Sequence, residues 1–388
     1  MSKTINNKIK SLYNFVKELL LRDLDYLSIR PTRVLLFMTY RCTSQCKMCT
    51  IWKRSKQVDP KVELTLNDWK NFIDQIVKEK IQVIEIFGGD SLLRKDVTIP
   101  LIKYIKQKNE KIFVDLPTNC NLIDKKTAID IVNSGLDRIY VSLDGPIDTH
   151  DRIRGKKGTY NRVEKALKYL IEAKKKLNSY TPMIMINCTV SKSNINTFEK
   201  ILPFVEKIGI DGIDFEYVGE FKKVNIKNTT LNNINPTPFY VKVGKSSLVN
   251  KQEAIILKKK INEIKKSTDD YNTIISTKHI DSLKIDDLIK GNVPNKKCYI
   301  CHTMLSIDPY GNVMGCFHYN NYILGNIKKD PLSLIWRNSK HINFLNAQIK
   351  GQIKICKNCI SGVYRNVTLF QSIYRYLYFS LRGKGFDE

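Results

Sequence analysis

The sequence lacks any long uninterrupted hydrophobic run. Its most apolar stretch near the start, "LYNFVKELLLRDLDYL", is interrupted by charged residues, namely Lys17, Glu18, Arg22, Asp23 and Asp25. A secretory signal needs an uncharged core of roughly 7–15 residues and a membrane span needs about 20. The stretch therefore fits neither class of segment, and the sequence predicts a cytoplasmic protein.

The sequence also lacks a basic patch, interleaved with aromatic residues, that resembles a nucleic-acid-binding module. Its net charge is +27, from 65 Lys and Arg against 38 Asp and Glu, and such an excess can indicate an anionic partner. The lysines, however, are spread along the chain among Asn and Ile, as in "LKKKINEIKKS", and no additional RNA-binding domain is visible. We interpret them as solvated faces, which disfavours nucleic acid as a partner.

The chain of 388 residues, 42% of them hydrophobic, is long enough to bury a large core or two to three smaller ones. Between residues 34 and 217, short β-branched runs alternate with stretches of helical period, a pattern typical of a parallel sheet. The sequence predicts an α/β fold, a partial (β/α)6 TIM-like barrel with a small Cys-rich α+β extension. The six predicted strands cover residues 34–38, 83–87, 112–116, 138–143, 183–190 and 212–218.

The composition changes along the chain and predicts five segments. They are an N-terminal helical segment (1–30), the barrel core (31–220), a linker or insertion with a helix over 252–266 (221–297), the Cys-rich extension (298–362) and a basic, aromatic tail (363–388). For the tail we favour a helix packed on the protein's own body. The alternative is an amphipathic helix on a membrane or partner surface.

Seven of the ten cysteines fall in closely spaced motifs, which in a reducing compartment points toward metal. The segment "TYRCTSQCKMCTIW" holds three of them, Cys42, Cys46 and Cys49. Thiolates suit iron-sulfur clusters, zinc and copper(I). Three cysteines leave one iron of a four-iron cluster open, whereas zinc would need a fourth ligand that no neighbouring residue supplies.

A second group of cysteines lies near the C-terminus: Cys298, Cys301, Cys316, Cys356 and Cys359. A zinc ribbon could use the two Cys-x-x-Cys pairs. However, 54 residues separate the pairs, against roughly 15 to 20 in the common ribbon, and Cys316 would have no role. The turn "DPYGNV" predicts a hairpin that lets the cysteines before and after it face one site.

The first thiol motif resembles that of the radical S-adenosylmethionine (SAM) superfamily, in which three cysteines follow the first barrel strand at this spacing. Three later stretches, "FGGDSLLRKDV", "LPTNCNLI" and "VSLDGPIDTHDRIRGKKGTYNRVEKAL", resemble its cofactor-binding motifs. The resemblance assigns SAM binding to Gly88, Gly89, Asp90, Thr118, Asn119, Ser142, Asp144 and Arg154. Three residues depart from the family pattern. Met48 replaces an aromatic residue, Asp90 replaces Glu, and Cys120 replaces a Gly whose backbone dihedrals Cys tolerates poorly.

The resemblance implies a definite chemistry. An open iron of the cluster would chelate SAM, and one electron would split the sulfonium to methionine and a 5'-deoxyadenosyl radical that removes a substrate hydrogen. A flavodoxin or ferredoxin would donate the electron.

The second cysteine group resembles the auxiliary-cluster extension called SPASM, or Twitch in its shorter form. Either Cys298 or Cys301 satisfies its spacing with Gly311 and Cys316. The resemblance implies one auxiliary four-iron cluster, with five candidate thiols for at most four positions. Such a cluster could accept an electron from a substrate radical, conduct electrons, or bind substrate.

These resemblances predict an oxidoreductase or maturase acting on a peptide or a small polyhydroxylated molecule, with the auxiliary cluster as electron acceptor. One alternative is a non-catalytic iron-sulfur protein on the same scaffold, and another is an RNA-modifying radical SAM enzyme. Glu216, Tyr217 and Glu220, at the end of the sixth predicted strand, are candidates for the substrate pocket.

Overall fold

The computed structural model describes residues 31–79, 81–241, 244–293, 298 and 300–361. Its centre is one ten-stranded sheet, in the order β10-β9-β8-β1-β2-β3-β4-β5-β6-β7. The strands are β1 Arg33–Phe37, β2 Val83–Phe87, β3 Phe113–Thr118, β4 Arg138–Ser142, β5 Met183–Val190, β6 Gly212–Tyr217, β7 Ile274–Ser276, β8 Met304–Ile307, β9 Asn312–Met314 and β10 Ile323–Asn326. Strands β8, β1 and β2 to β7 are parallel, and only β9 and β10 run antiparallel to their neighbours.

Thirteen α-helices connect or flank these strands within the described residues. They are α1 Leu66–Ile76, α2 Lys95–Lys108, α3 Lys125–Asn133, α4 Ile147–Arg154, α5 Thr159–Lys176, α6 Leu202–Ile208, α7 Lys223–Lys227, α8 Lys251–Lys266, α9 Lys278–Asp281, α10 Ile285–Lys290, α11 Ile300–Thr303, α12 Leu332–Ile335 and α13 Ser339–Ile349. In α1, a capping box between Thr65 and Asp68 satisfies the first backbone N–H groups, and apolar residues at helical spacing are buried. Among the described residues, no helix is long and apolar enough to cross a membrane.

The predicted partial barrel is confirmed, and the six predicted strands lie within two residues of β1 to β6. The sheet does not close, since β7 and β10 are its two edges. The helix predicted over 252–266 is α8. The predicted segments 1–30 and 363–388 lie outside the described residues.

Four strands of the sheet, β7 to β10, come from segments that the sequence did not assign to the barrel. β7 lies in the predicted linker and pairs parallel with β6. β8 lies in the Cys-rich extension and pairs parallel with β1, with Arg33 opposite Met304. The extension therefore continues the same sheet as the strand that precedes the first thiol motif.

The extension turns between β8 and β9 as the sequence predicted. The Asp308 carboxylate accepts hydrogen bonds from the backbone N–H groups of Tyr310 and Asn312, each at 2.9 Å. Gly311 has a φ of +87°, a conformation that favours glycine. The backbone N–H of Leu64 donates to the carbonyl of Pro309 at 2.8 Å, so the turn is also tied to the segment before α1.

Candidate active site

The loop after β1 places Cys42, Cys46 and Cys49 at the carboxyl end of the sheet. The Cys42 thiol contacts the carbonyl of Gly89 at 3.3 Å, and the Cys49 N–H donates to the Cys46 carbonyl at 3.3 Å. Burial, together with the neighbouring Cys46, raises the pKa of the Cys42 and Cys49 thiols to about 12. These thiols therefore share one enclosed region, where bound metal cations would favour their thiolate forms.

Two glycines after β2 lie directly against the thiol loop. The Gly89 N–H donates to the Thr39 carbonyl and the Asp90 N–H donates to the Arg41 carbonyl, both at 2.8 Å. A Cβ on Gly89 would lie 2.2 Å from the Arg41 carbonyl oxygen, so a side chain has no room there. Gly88 has a φ of +144°, and a Cβ there would lie 2.6 Å from the Thr39 carbonyl oxygen. Both positions require glycine because two backbones meet.

Asp90 is buried beside this contact and has one carboxylate oxygen available. Its Oδ2 accepts a hydrogen bond from the Thr43 hydroxyl at 2.5 Å, while Oδ1 has no partner among the described residues. Burial raises the pKa of the Asp90 carboxyl. A buried oxygen without a donor is costly, and an ammonium group placed here would satisfy it.

The loop after β3 completes this side of the site. The Asn119 side-chain amide donates to the Thr43 hydroxyl at 3.0 Å and lies 3.9 Å from the Cys42 sulfur. The Thr118 hydroxyl accepts from the Cys120 N–H at 3.0 Å. Cys120 has a φ of +61°, so the position does require the left-handed backbone that glycine adopts easily, and here a cysteine adopts it.

Arg154, at the end of α4, lies between Asp144 and the thiol loop. Its Nε is 2.7 Å from Oδ2 of Asp144, and its Nη1 is 3.8 Å from the Cys46 sulfur. Burial alone would lower the pKa of Arg154, but Asp144 and Cys46 outweigh burial and raise it. Arg154 and Ser142 line the cavity described below, whereas Asp144 does not and lies fully buried behind Arg154.

The second cysteine group is also gathered in one place. Burial raises the pKa of four of these thiols, and the charge of Cys298 also raises it in each case; the four are Cys301, Cys316, Cys356 and Cys359. The pKa of Cys316 is raised to about 12. Cys298 therefore lies within electrostatic range of the four other thiols. This proximity follows from the fold, since 54 residues separate Cys301 from Cys356 in sequence.

A cavity of about 630 Å³ borders the first thiol group and the residues that follow two thiols of the second group. Its volume is within the usual size range of ligand sites. On one side it is lined by the three thiols of the first motif together with Gly88, Gly89, Thr118, Asn119, Ser142 and Arg154. On the other side it is lined by Phe317, Ile360 and Ser361, which follow Cys316 and Cys359 directly in the chain. A molecule in the cavity would lie between the two groups.

The donor sets fit the cofactors that the sequence implies. In the described part of the chain, no three His, Cys, Asp or Glu side chains converge on a single metal position. A four-iron cluster binds its thiolates at separate corners, so it does not require such convergence. Gly88, Gly89 and Arg154 line the cavity beside the first motif, whereas Asp90 lies buried next to them with one oxygen that has no described partner.

Several residues that line the cavity were not predicted from the sequence. Phe239 and Tyr240 come from the predicted linker and line it. Glu85, Asp115 and Asp214 also line it, and each was visible as a charged residue inside an apolar strand. Of the three pocket candidates at the end of β6, Glu216 and Tyr217 line the cavity, whereas Glu220 accepts hydrogen bonds from Ser246 and Ser247.

Comparison with known proteins identifies two domains. Residues 36–200 match the radical SAM superfamily, and residues 298–360 match SPASM, an iron-sulfur cluster-binding domain. The first match implies a four-iron cluster and SAM, and the second implies auxiliary iron-sulfur chemistry. The two matches coincide with the two thiol groups.

Individual relatives match this chain at low sequence identity. An AdoMet-dependent heme synthase of Nitratidesulfovibrio vulgaris is 24% identical over 361 residues, which cover 84% of this chain and 86% of that protein. The Fe-coproporphyrin III synthase of Methanosarcina barkeri is 29% identical over 181 residues, 47% of this chain and 42% of that protein, so the match spans less than half of that relative. The crystal structure of Streptococcus suis SuiB bound to its precursor peptide SuiA aligns with a TM-score of 0.61 at 16% identity, over 91% of this chain and 77% of that one. At this identity the likeness to SuiB shows the fold.

Proposed function

Because this chain is a radical SAM protein with a C-terminal SPASM domain, we propose that it reductively cleaves SAM and abstracts hydrogen from a peptide or a small polyhydroxylated substrate. When bound, the first cluster supplies the electron that cleaves the sulfonium. Four of the C-terminal thiols would hold the auxiliary cluster, which would take one electron from the substrate radical left after hydrogen removal, so that the substrate is oxidised or cross-linked.

The observation that supports this proposal is the single cavity between the two thiol groups. Cys42, Cys46 and Cys49 border it on one side, and the residues after Cys316 and Cys359 border it on the other. A substrate held there is close to the place where hydrogen is removed and to the place where an electron can leave.

We assign roles around the first motif from the contacts. Asp90 receives the ammonium group of SAM at its unpartnered Oδ1, and Arg154 lies where it can pair with the carboxylate of SAM. Gly88 and Gly89 admit SAM against the backbone. Asn119, Thr118 and Ser142 contribute hydrogen-bonding groups around it, while Asp144 fixes the Arg154 guanidinium.

The auxiliary cluster is held by four of the five C-terminal thiols. We include Cys298 because its charge acts on all four others. We propose domain limits of 31–220 for the core, 221–297 for the connecting segment and 298–362 for the auxiliary domain. An electron donor such as a flavodoxin or ferredoxin supplies the first electron.

A tetrapyrrole substrate is the second candidate, since the heme synthase of N. vulgaris is matched over 84% of this chain. Haem-type macrocycles carry anionic carboxylates, and the cavity is lined by four carboxylates of its own. Like charges repel in such a site, so we favour the first candidate. The two candidate functions predict different activators: a coproporphyrin should increase SAM cleavage if the substrate is a tetrapyrrole, and a peptide should increase it if the substrate is a peptide.

The test is anaerobic reconstitution followed by iron analysis and a SAM-cleavage assay. We expect roughly eight iron atoms per chain for two four-iron clusters, and 5'-deoxyadenosine under dithionite. Replacing Cys42, Cys46 and Cys49 together by Ala should remove about four iron atoms and all cleavage, and Cys298→Ala should remove the other four. The control is Cys188→Ala, a buried cysteine of β5, which should keep both clusters.

Two results would contradict the proposal. One is an iron content near four in the unsubstituted protein, which would leave no auxiliary cluster. The other is a full complement of iron without any cleavage of SAM, which is the result expected of a non-catalytic iron-sulfur protein.

A further inference from the structure

The cavity is lined by carboxylates that come from three strands of the sheet. They are Glu85 of β2, Asp115 of β3 and both Asp214 and Glu216 of β6. Successive residues of a strand point to opposite faces. The residues next to Glu85, Ile84 and Ile86, are fully buried in the core beneath the helices. The strands therefore place apolar residues on the helix side and acids on the cavity side.

Basic residues offset only part of this charge within the described chain. Arg138 pairs with Asp115, with Nη2 2.6 Å from Oδ2. The lining arginines are Arg33 and Arg154, and Arg154 is held by Asp144. Among the described residues that line the cavity, four are acids and two are arginines, although the whole chain has a net charge of +27.

The acids of this wall already take part in interactions, but their capacity is larger. Asp214 accepts a hydrogen bond from the Tyr140 hydroxyl at 2.8 Å. A carboxylate has two oxygens with about four lone-pair positions. Each acid can therefore accept a further N–H donor, and the inference depends on where the acids lie rather than on their being unpaired.

Aromatic residues share the same space. Tyr240, Phe87 and Phe239 line the cavity. Burial raises the pKa of the Tyr240 phenol, and Cys49, Glu216 and Glu85 raise it further. The phenol therefore lies within range of the first thiol motif and of acids on two strands that are not adjacent. Aromatic faces attract cations, the more strongly when both are desolvated.

We propose that the cavity recognises a substrate through a cationic group, an ammonium or guanidinium held by Glu85 and Glu216. The inference deepens the proposed function and rests on it, since it names the substrate class of the same site. The excess positive charge elsewhere on the protein does not attract a cation, so the attraction comes from this wall. A lysine or arginine side chain of a peptide carries the required group, as does a small amine.

The test measures binding to the reconstituted protein by isothermal titration calorimetry with three probes. They are the capped tripeptide Gly-Lys-Gly, its norleucine counterpart and its glutamate counterpart. We expect the lysine peptide to bind at least tenfold more tightly than the other two, and its affinity to fall as salt rises. Glu85→Gln and Glu216→Gln should each weaken its binding about tenfold, which corresponds to about 1.4 kcal/mol.

The matched control is Glu263→Gln on the exposed surface of α8, where the Glu263 side chain is 61% accessible and the affinity should not change. Iron content and circular dichroism establish that each variant is folded. A fourth probe, 1,5-diaminopentane, separates a small amine from a peptide: tighter binding of the diamine assigns the site to small amines, and tighter binding of the peptide assigns it to lysine side chains.

The inference is overturned if norleucine or glutamate peptides bind as tightly as lysine, if both glutamine variants bind normally, or if neither cationic probe binds at 10 mM. Failure of the proposed function would give a different result, namely no SAM cleavage in the same preparation. Binding of the lysine peptide without cleavage would reject the function and leave the recognition of a cation intact.

Discussion

Arg154 and Asp144 form a buried ion pair at the edge of the first thiol motif. Nη2 of Arg154 donates to Oδ1 of Asp144 at 3.0 Å, and Nε lies 2.7 Å from Oδ2. Asp144 also accepts a hydrogen bond from the backbone N–H of Thr189 at 3.1 Å. The aspartate therefore links α4 to β5 and holds the guanidinium toward Cys46.

Removing both members of this pair should cost less than the sum of the losses from removing each one alone. Arg154→Gln leaves a buried carboxylate without its cation, which costs about 3–5 kcal/mol. In the double variant with Asp144→Asn no buried charge remains, so the loss should be smaller than the sum of the two single losses. Urea unfolding of the four proteins of this cycle measures the coupling. Additive losses would show that the pair is not coupled.

Gly89→Ala should abolish SAM binding because a Cβ would lie 2.2 Å from the Arg41 carbonyl oxygen. Relieving the overlap means moving the thiol loop, at a cost of about 1–3 kcal/mol. Equilibrium dialysis with SAM measures the effect. The matched control is Gly158→Ala, where φ is +81° but no atom lies within 4 Å of the new Cβ; it should lose stability and keep SAM binding. Normal SAM binding by Gly89→Ala would contradict the role given to this contact.

Cys120 should reverse the usual order of glycine and alanine. It has a φ of +61° and is 1% exposed. Alanine keeps the left-handed strain of about 1–2 kcal/mol and loses the sulfur, whereas glycine loses the sulfur and relieves the strain. Cys120→Gly should therefore be more stable than Cys120→Ala in chemical denaturation. At Cys188, in regular strand β5, alanine should be the more stable of the two. The same order at both positions would contradict this explanation.

His150 should make the protein less stable in mild acid. Its Nδ1 accepts a hydrogen bond from the backbone N–H of Asp144 at 3.2 Å. Burial, followed by the charge of Arg154, lowers its pKa from 6.5 to about 4, although Asp144 and Asp151 act in the opposite direction. The unfolded chain therefore binds a proton below pH 6.5 while the folded protein does not until about pH 4. Stability must fall as pH falls through this window.

The expected loss from His150 is on the order of 2 kcal/mol between pH 7 and pH 5, since one pKa unit corresponds to about 1.4 kcal/mol. Unfolding free energies at the two pH values measure it. His150→Asn removes the titrating group, so the variant should show a smaller loss than the unsubstituted protein. An identical loss in both would assign the pH dependence to other groups.

Much of this architecture was predictable because it depends on local patterns. Runs such as "VIEIF" and "MIMINCTV" are short, β-branched and bounded by turns, and each became a strand of the barrel. The two thiol motifs were predictable because their spacing within the chain is short and regular. Gly88, Gly89 and Arg154 followed from stretches whose order along successive strands is itself informative.

The parts of the fold and of the site that were not predicted depend on contacts between segments that are distant in the sequence. β7 has three residues and is defined by its pairing with β6, so no local pattern indicates it. The pairing of β8 with β1 joins residues more than 260 positions apart, and a hairpin prediction for the extension gives no sign of it. Tyr240 and Phe239 come from a segment without regular secondary structure, and only the fold brings them to the cavity.

The ladder between β1 and β8 has a mechanical consequence. Four residue pairs, from Arg33 with Met304 to Leu36 with Ile307, join the strand before the first thiol motif to the strand after Cys301. Sliding one strand against the other would break several backbone hydrogen bonds at once, so the two thiol groups move as one rigid frame. Under the proposed function, an electron that passes between the two thiol groups would therefore travel a distance that the sheet helps to fix.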